Sequence, residues 1–183
     1  MHTKGIHMAL LAEELVEEWL NRSGFFTIRG IKLGIQEIDL LAIGFKDGET
    51  ICRHIEVQAS VRPISYITTL PKETQKATGR SSHNAKKRSP LEISKGVDEW
   101  VEKKYILPMK EQLRQTLFHG NWKFELVVHQ VKYEDELKSI EKHGILIHRL
   151  DDIVSELSSS KTIIPGASGS DLLELILLGK TKS

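Results

Sequence analysis

The sequence predicts one α/β domain of two or three layers built on a mixed β-sheet. Strand-like segments come first and then alternate with helical ones, the pattern of a sheet covered by helices. Asp47-Gly48 separates two alternating segments, a strong signal for a two-residue hairpin turn. With 183 residues, 39% of them hydrophobic, the chain can bury a core without staples.

Met8–Arg22 reads as an amphipathic helix. Met8, Leu11, Ala12, Leu15, Val16, Trp19 and Leu20 recur at helical spacing, and Gly24 stops it. Phe25–Arg29 is rich in aromatic and β-branched residues and reads as a short strand. Glu37–Phe45 and Thr50–Ala59 are two further strands with clear alternation. Val97–Leu117 reads as one long helix, or as two broken at Pro108. A strand at Lys123–Val131, a helix at Glu134–Lys142, a strand at Gly144–His148 and a helix at Asp151–Leu157 follow. Ser158–Ser170 is a linker, after which Ser170 or Asp171 caps a short apolar helix. The expected organisation is a domain over 1–158 with a basic insertion at 62–90, then a linker and C-terminal helix over 159–183.

Composition excludes several classes. The single cysteine, Cys52, rules out a disulfide framework and a multi-cysteine zinc site. A reducing cytoplasmic setting is expected. No apolar run approaches the ~18 residues of a membrane span, and Glu13 and Glu14 interrupt any leader-like run near the N-terminus. The net charge of +1 argues against a wholly basic nucleic-acid binder. The charge is nevertheless segregated. Arg62–Pro90 carries Arg62, Lys72, Lys76, Arg80, Lys86, Lys87 and Arg88 against one acid, Glu73, a surplus of +6 that leaves −5 elsewhere.

The hairpin gathers the chemistry. With Asp47-Gly48 as its two loop residues, Lys46 faces Glu49 and Asp39 faces Glu56. Glu37, Asp39, Glu56 and Gln58 then share one face, while Ile38, Leu40, Ala42, Ile51, Ile55 and Val57 form an apolar one. Opposed carboxylates repel unless they share a cation. Oxygen ligands of this kind suit Mg²⁺ or Mn²⁺, ions that also bind phosphate groups. The alternative is a solvated acidic hairpin edge.

Gly34-Ile35-Gln36-Glu37-Ile38-Asp39-Leu40-Leu41-Ala42, followed by His54-Ile55-Glu56-Val57-Gln58, resembles the PD-(D/E)xK nuclease signature. A helix with Ala12-Glu13-Glu14-Leu15 and then Gly24-Phe25 precedes it. The arrangement is similar to archaeal Holliday-junction resolvases and Mrr-type restriction endonucleases. The resemblance covers Met8 to Ala59 well, and Phe124–Val131 and Gly144–Leu157 more weakly.

That resemblance implies a restriction-endonuclease-like α/β fold, a central mixed β-sheet flanked by helices (αβββαβ core). It implies a Mg²⁺- or Mn²⁺-dependent endonuclease acting on DNA, with RNA left open. Asp39 and Glu56 would be the metal ligands, with Glu13 or Glu14 assisting from the first helix. On a helical wheel Glu13 lies about 110° from the apolar centre and Glu14 about 150°, which favours Glu13. Gln58 stands where the family usually has lysine. Some restriction enzymes of the superfamily carry the same Glu-x-Gln variant and are active. Lysine would stabilise charge on the phosphate, whereas glutamine offers neutral hydrogen bonds. Lys32 is one candidate to compensate. A weakened or inactive member that binds DNA or protein is the alternative. The basic residues of Arg62–Pro90 would hold the nucleic-acid backbone. His54 is a candidate to support Glu56, or a plain surface or half-buried histidine. The C-terminal helix packs on the domain or on a second copy, and a homodimer is expected on that ground and on the resemblance.

Overall fold

The computed structural model describes residues 3–60, 62–159 and 162–180. Five strands form one mixed sheet in the order β1-β2-β3-β4-β5. They are β1 (Phe26–Leu33), β2 (Gln36–Lys46), β3 (Glu49–Gln58), β4 (Trp122–Val128) and β5 (Leu146–Arg149). The first three pair antiparallel and the last two join in parallel. Seven α-helices accompany them among the described residues: α1 (Thr3–Arg22), α2 (Lys72–Thr78), α3 (Pro90–Val101), α4 (Pro108–Leu117), α5 (Glu134–Glu141), α6 (Leu150–Ser158) and α7 (Ser170–Lys180). A π-helical turn, Glu102–Ile106, lies between α3 and α4.

The sheet is covered on both faces, so the domain has three layers. On one face Leu15, Val16 and Leu20 of α1 pack with Leu40, Ile55, Val127, α6 and Leu173 of α7. On the other, Val97 and Trp100 of α3, Tyr105 of the π-turn and Leu137 and Ile140 of α5 pack on Leu126 and Val128. Each such buried side chain contributes about 1.5–3 kcal/mol. No helix among the described residues is long and apolar enough to cross a membrane.

Local chemistry explains the turns. Gly24 ends α1 with φ 85°. Its amide donates to Asn21 O and that of Phe25 to Leu20 O, both 3.0 Å, a Schellman closure. The β2–β3 pairing runs from Lys46↔Glu49 to Leu40↔Ile55, the register expected from the sequence. Asp47 and Gly48 both have positive φ, 52° and 81°, as a type I′ turn requires.

Three expectations need correction. β1 extends to Leu33 rather than stopping at Arg29, and a tight turn at Gly34-Ile35 returns it to β2. Gly30 hides this continuation by breaking the alternation at an exposed edge. The helix expected from Val97 begins at Pro90, because Ser89 and Glu92 form a capping box with proline at N1. The basic insertion, to which the sequence assigns no element, is folded. It carries α2 and buries Tyr66, Thr68, Leu70 and Arg88.

The C-terminal strap is tied to α1. Buried Glu18 accepts from Ala167 N (2.9 Å), Gly169 N (2.7 Å) and Ser170 Oγ (2.9 Å) and pairs with Arg22. The strap therefore leads α7 onto this domain's own α1 and α6, where Leu173 is buried.

Candidate functional site

The β2–β3 ladder ends at Leu40↔Ile55, and the next residues are Asp39 and Glu56. Beyond that point Asp39 Oδ2 accepts the Val57 amide at 2.8 Å. The carboxylate thus satisfies a backbone donor that the ladder no longer pairs. Across on β1 lies Gly30, between the pairs Arg29↔Leu40 and Ile31↔Ile38. The residue opposite Asp39 on the edge strand therefore has no side chain.

Glu56 is fully buried and sits among cations. Lys104 Nζ donates to its Oε2, and Lys110 Nζ reaches Oε1 at 3.4 Å. His54 Nε2 lies 3.1 Å from Oε1. Arg114 Nη1 is 2.8 Å from His54 Nδ1. Arginine only donates, so Nδ1 accepts and Nε2–H donates to Glu56. His54 is buried between Tyr105 and Phe124, at ring distances of 4.9 and 5.9 Å. Burial, then Arg114, Lys110 and Lys104, hold its pKa well below the ordinary value. The ring is a neutral link between Arg114 and Glu56, fully buried rather than at the surface or half-buried.

The two lysines play different parts. Lys110 is buried, and its ammonium also donates to Glu37 O (2.6 Å) and Lys104 O (2.8 Å). Lys104 belongs to the π-turn and lines a cleft of about 590 Å³ with Gln36, Gln58, Ile67, Thr69 and Trp100. Burial pulls the Lys104 pKa down, but Glu56 and Asp39 outweigh it and hold the ammonium above its usual value.

The acids repel one another. Burial, followed by the Glu56 charge, pushes Asp39 up to about 7. Glu13, buried on α1, is likewise pushed up to about 7 by burial, then by Asp39 and Glu37. Glu14 is only half-buried and lies on the strap side of α1, its backbone beside Gly169. Of the two candidates, the structure brings Glu13 to the cluster. Among the described residues, no three His, Cys, Asp or Glu side chains form a ready metal-binding group.

The basic residues divide. Lys72 lines the same cleft as Gln58 and Lys104. Arg62, Lys76, Lys86 and Lys87 are exposed. Arg80 is engaged with Glu92 at 2.6 Å. Arg88 is buried, donates to Thr68 Oγ1 and O at 3.1 Å each, and lies 4.0 Å over the Tyr66 ring. Its partners hold the segment together, so Arg88 is not a surface contact for nucleic acid. Lys32 pairs with Glu37 at the exposed edge, while the cationic partners of Glu56 among the described residues are Lys104 and Lys110.

Lys104, Lys110 and Arg114 escaped the sequence reading. A signal was present: Lys104 falls at i+7 from Val97, i+4 from Trp100 and i+3 from Val101, on the apolar stripe. A lysine at that position has to find a partner.

No family model matches this chain. No curated protein matches it either. Its backbone is similar to the crystal structure of a protein of unknown function, AF1548, at 18% identity and a TM-score of 0.40, over 76% of this chain and 56% of that one. The chain thus spans little more than half of that protein.

Proposed function

We propose that the protein is a divalent-metal-dependent nuclease of restriction-endonuclease-like fold, hydrolysing DNA phosphodiester bonds at Asp39, Glu56 and Gln58. One observation carries this reading: beside burial, the charges of Glu56 and Glu37 raise Asp39 and those of Asp39 and Glu37 raise Glu13, at the end of a hairpin ladder and beside a lysine-lined cleft. Acids held so close favour a cation. A donor set of carboxylate oxygens suits Mg²⁺ or Mn²⁺, with water and phosphate oxygens completing the shell. Asp39 and Glu56 would hold the ion. Bound there, it would polarise the phosphate and lower the pKa of water.

The chain's own groups supply the rest. Lys104 Nζ offers the positive charge that Gln58 lacks, and charge aimed at a phosphoryl group stabilises its transition state. The Gln58 amide orients a nucleophile by neutral hydrogen bonds. Glu13, with its carboxyl near 7, is suited to accept a proton at neutral pH. Lys72 and Lys103 on the cleft wall would hold the backbone.

Plasmid cleavage with Mg²⁺ or Mn²⁺ tests this. Asp39→Asn and Glu56→Gln should each abolish cleavage. Lys104→Met should lower kcat by about 10²-fold, the scale of one lost charge-stabilising donor. Unchanged activity in Asp39→Asn and Glu56→Gln sinks the site. A second reading, a DNA- or protein-binding module without catalysis, is favoured by Gln58 and by the engagement of both Glu56 oxygens with Lys104 and His54. It predicts DNA binding with no Mn²⁺ heat in calorimetry.

A further inference from the structure

The α1 face of the sheet, at the Asp47-Gly48 end, contains a cavity of about 480 Å³, within the usual range for small-molecule sites. Phe25, Ile51, Leu146 and Ile163 form apolar walls, and Arg53 and Glu125 line it. Gly44 makes the wall possible: a Cβ there would meet the Phe25 ring at 2.7 Å.

Arg53 is the informative group. It is only 8% exposed and lies 4.7 Å from the Trp19 ring centroid and 5.0 Å from that of Phe25. Its Nε and Nη2 engage the two oxygens of Glu125. Glu125 also meets His148 Nε2 at 2.7 Å, so its charge is already matched. Arg53 Nη1 has no partner among the described residues, while the side chain lines the cavity. Lys46 and Lys123 are exposed at the lining; Glu49 stands opposite Lys46 across the hairpin but does not line the cavity, and neither lysine forms an ion pair among the described residues. The surplus charge facing the cavity is therefore positive. Phe45, Leu146 and Ile163 stay 70%, 56% and 79% exposed around it, apolar surface that a ligand tail would cover.

We propose that this cavity binds a small amphipathic carboxylate, with its anionic head toward Arg53 Nη1 and the two lysines and its apolar body along Phe25, Leu146 and Ile163. The inference does not rest on the nuclease reading, because the site shares no residue with the acid cluster.

Calorimetric titration with decanoate below its micellar concentration tests it, with decan-1-ol and decylammonium as comparisons. Decanoate should bind saturably at one site, about tenfold or more tighter than the alcohol, and decylammonium should not bind. Lys46→Glu combined with Lys123→Glu should weaken decanoate about tenfold and leave decanol unchanged. Ile163→Asp should weaken both. These changes are at exposed positions, so a thermal melt will confirm folded protein where Arg53→Met could fail to fold. Absence of saturable decanoate binding, equal affinity for the alcohol, or indifference to the lysine charge reversal would each overturn the proposal. Asp39→Asn should bind decanoate as the unaltered protein does.

Discussion

Lys110 donates to three separate parts of the chain: Glu37 O on β2, Lys104 O on the π-turn and Glu56 on β3. A single buried ammonium therefore ties together the three segments that carry the acid cluster and Lys104. Lys110→Met keeps much of the stem's volume but strands two carbonyls and removes a countercharge. Unfolding in urea should show a loss of about 3–5 kcal/mol, the cost of breaking a buried ion pair. A loss under 1 kcal/mol would mean that water replaces the ammonium freely. The hairpin acids were legible because turn residues set register and register sets face. Lys110 and Arg114 were not, because α4's burial depends on where α4 docks, which no local pattern states.

At the scale of elements, α3 and the Ile67–Leu70 segment form one wall of the cleft. Glu136 of α5 accepts from Ile67 N (2.6 Å), Thr68 N (3.1 Å) and Thr68 Oγ1 (2.6 Å), and Arg88 donates to the same threonine. Gly96 of α3 faces this pinned segment: an added Cβ would stand 3.0 Å from Thr68 Oγ1 and 3.0 Å from Thr69 O. Helix propensity favours Gly96→Ala by about 1 kcal/mol, while crowding a packed wall costs about 1–3 kcal/mol. Thr69 O is backbone and Thr68 is held on both sides, so crowding should win. The expected result is a lower Tm for Gly96→Ala; a higher Tm would show the wall to be compliant. The start of α3 is written locally, in Ser89, Pro90 and Glu92. The π-turn that brings Lys104 to Glu56 was not readable. Its widened hydrogen bond, Leu107 N to Glu102 O, is a local cost that the ion pair and the packing of Tyr105 must offset.

For the molecule as a whole, the segregated charge acquires a geometry. Of the seven basic residues in Arg62–Pro90, Arg80 and Arg88 are taken up by Glu92 and Glu136. Lys72 stands at the cleft beside Lys103 and Lys104. On the proposed function, Lys72→Gln with Lys103→Gln should reduce the salt dependence of DNA affinity by about 2 in log–log slope, about one per lost phosphate contact. Anisotropy titrations across a salt series measure this. Arg88→Gln should lower stability instead, and an unchanged slope in the double variant would move the DNA path elsewhere. The α/β class, the antiparallel hairpin with its register, and the placing of Asp39 and Glu56 next to each other, just past the last ladder pair, followed from sequence alone. They depend on short-range rules: alternation, turn chemistry and helix-ending glycine. Only the tertiary structure decided that Glu13 rather than Glu14 meets the acids, that Arg88 is internal, and that Lys104 and Lys110 surround Glu56. Those outcomes depend on contacts between residues about 20 to 70 positions apart, which arise when separate layers close on one sheet and bury charges that must then find partners.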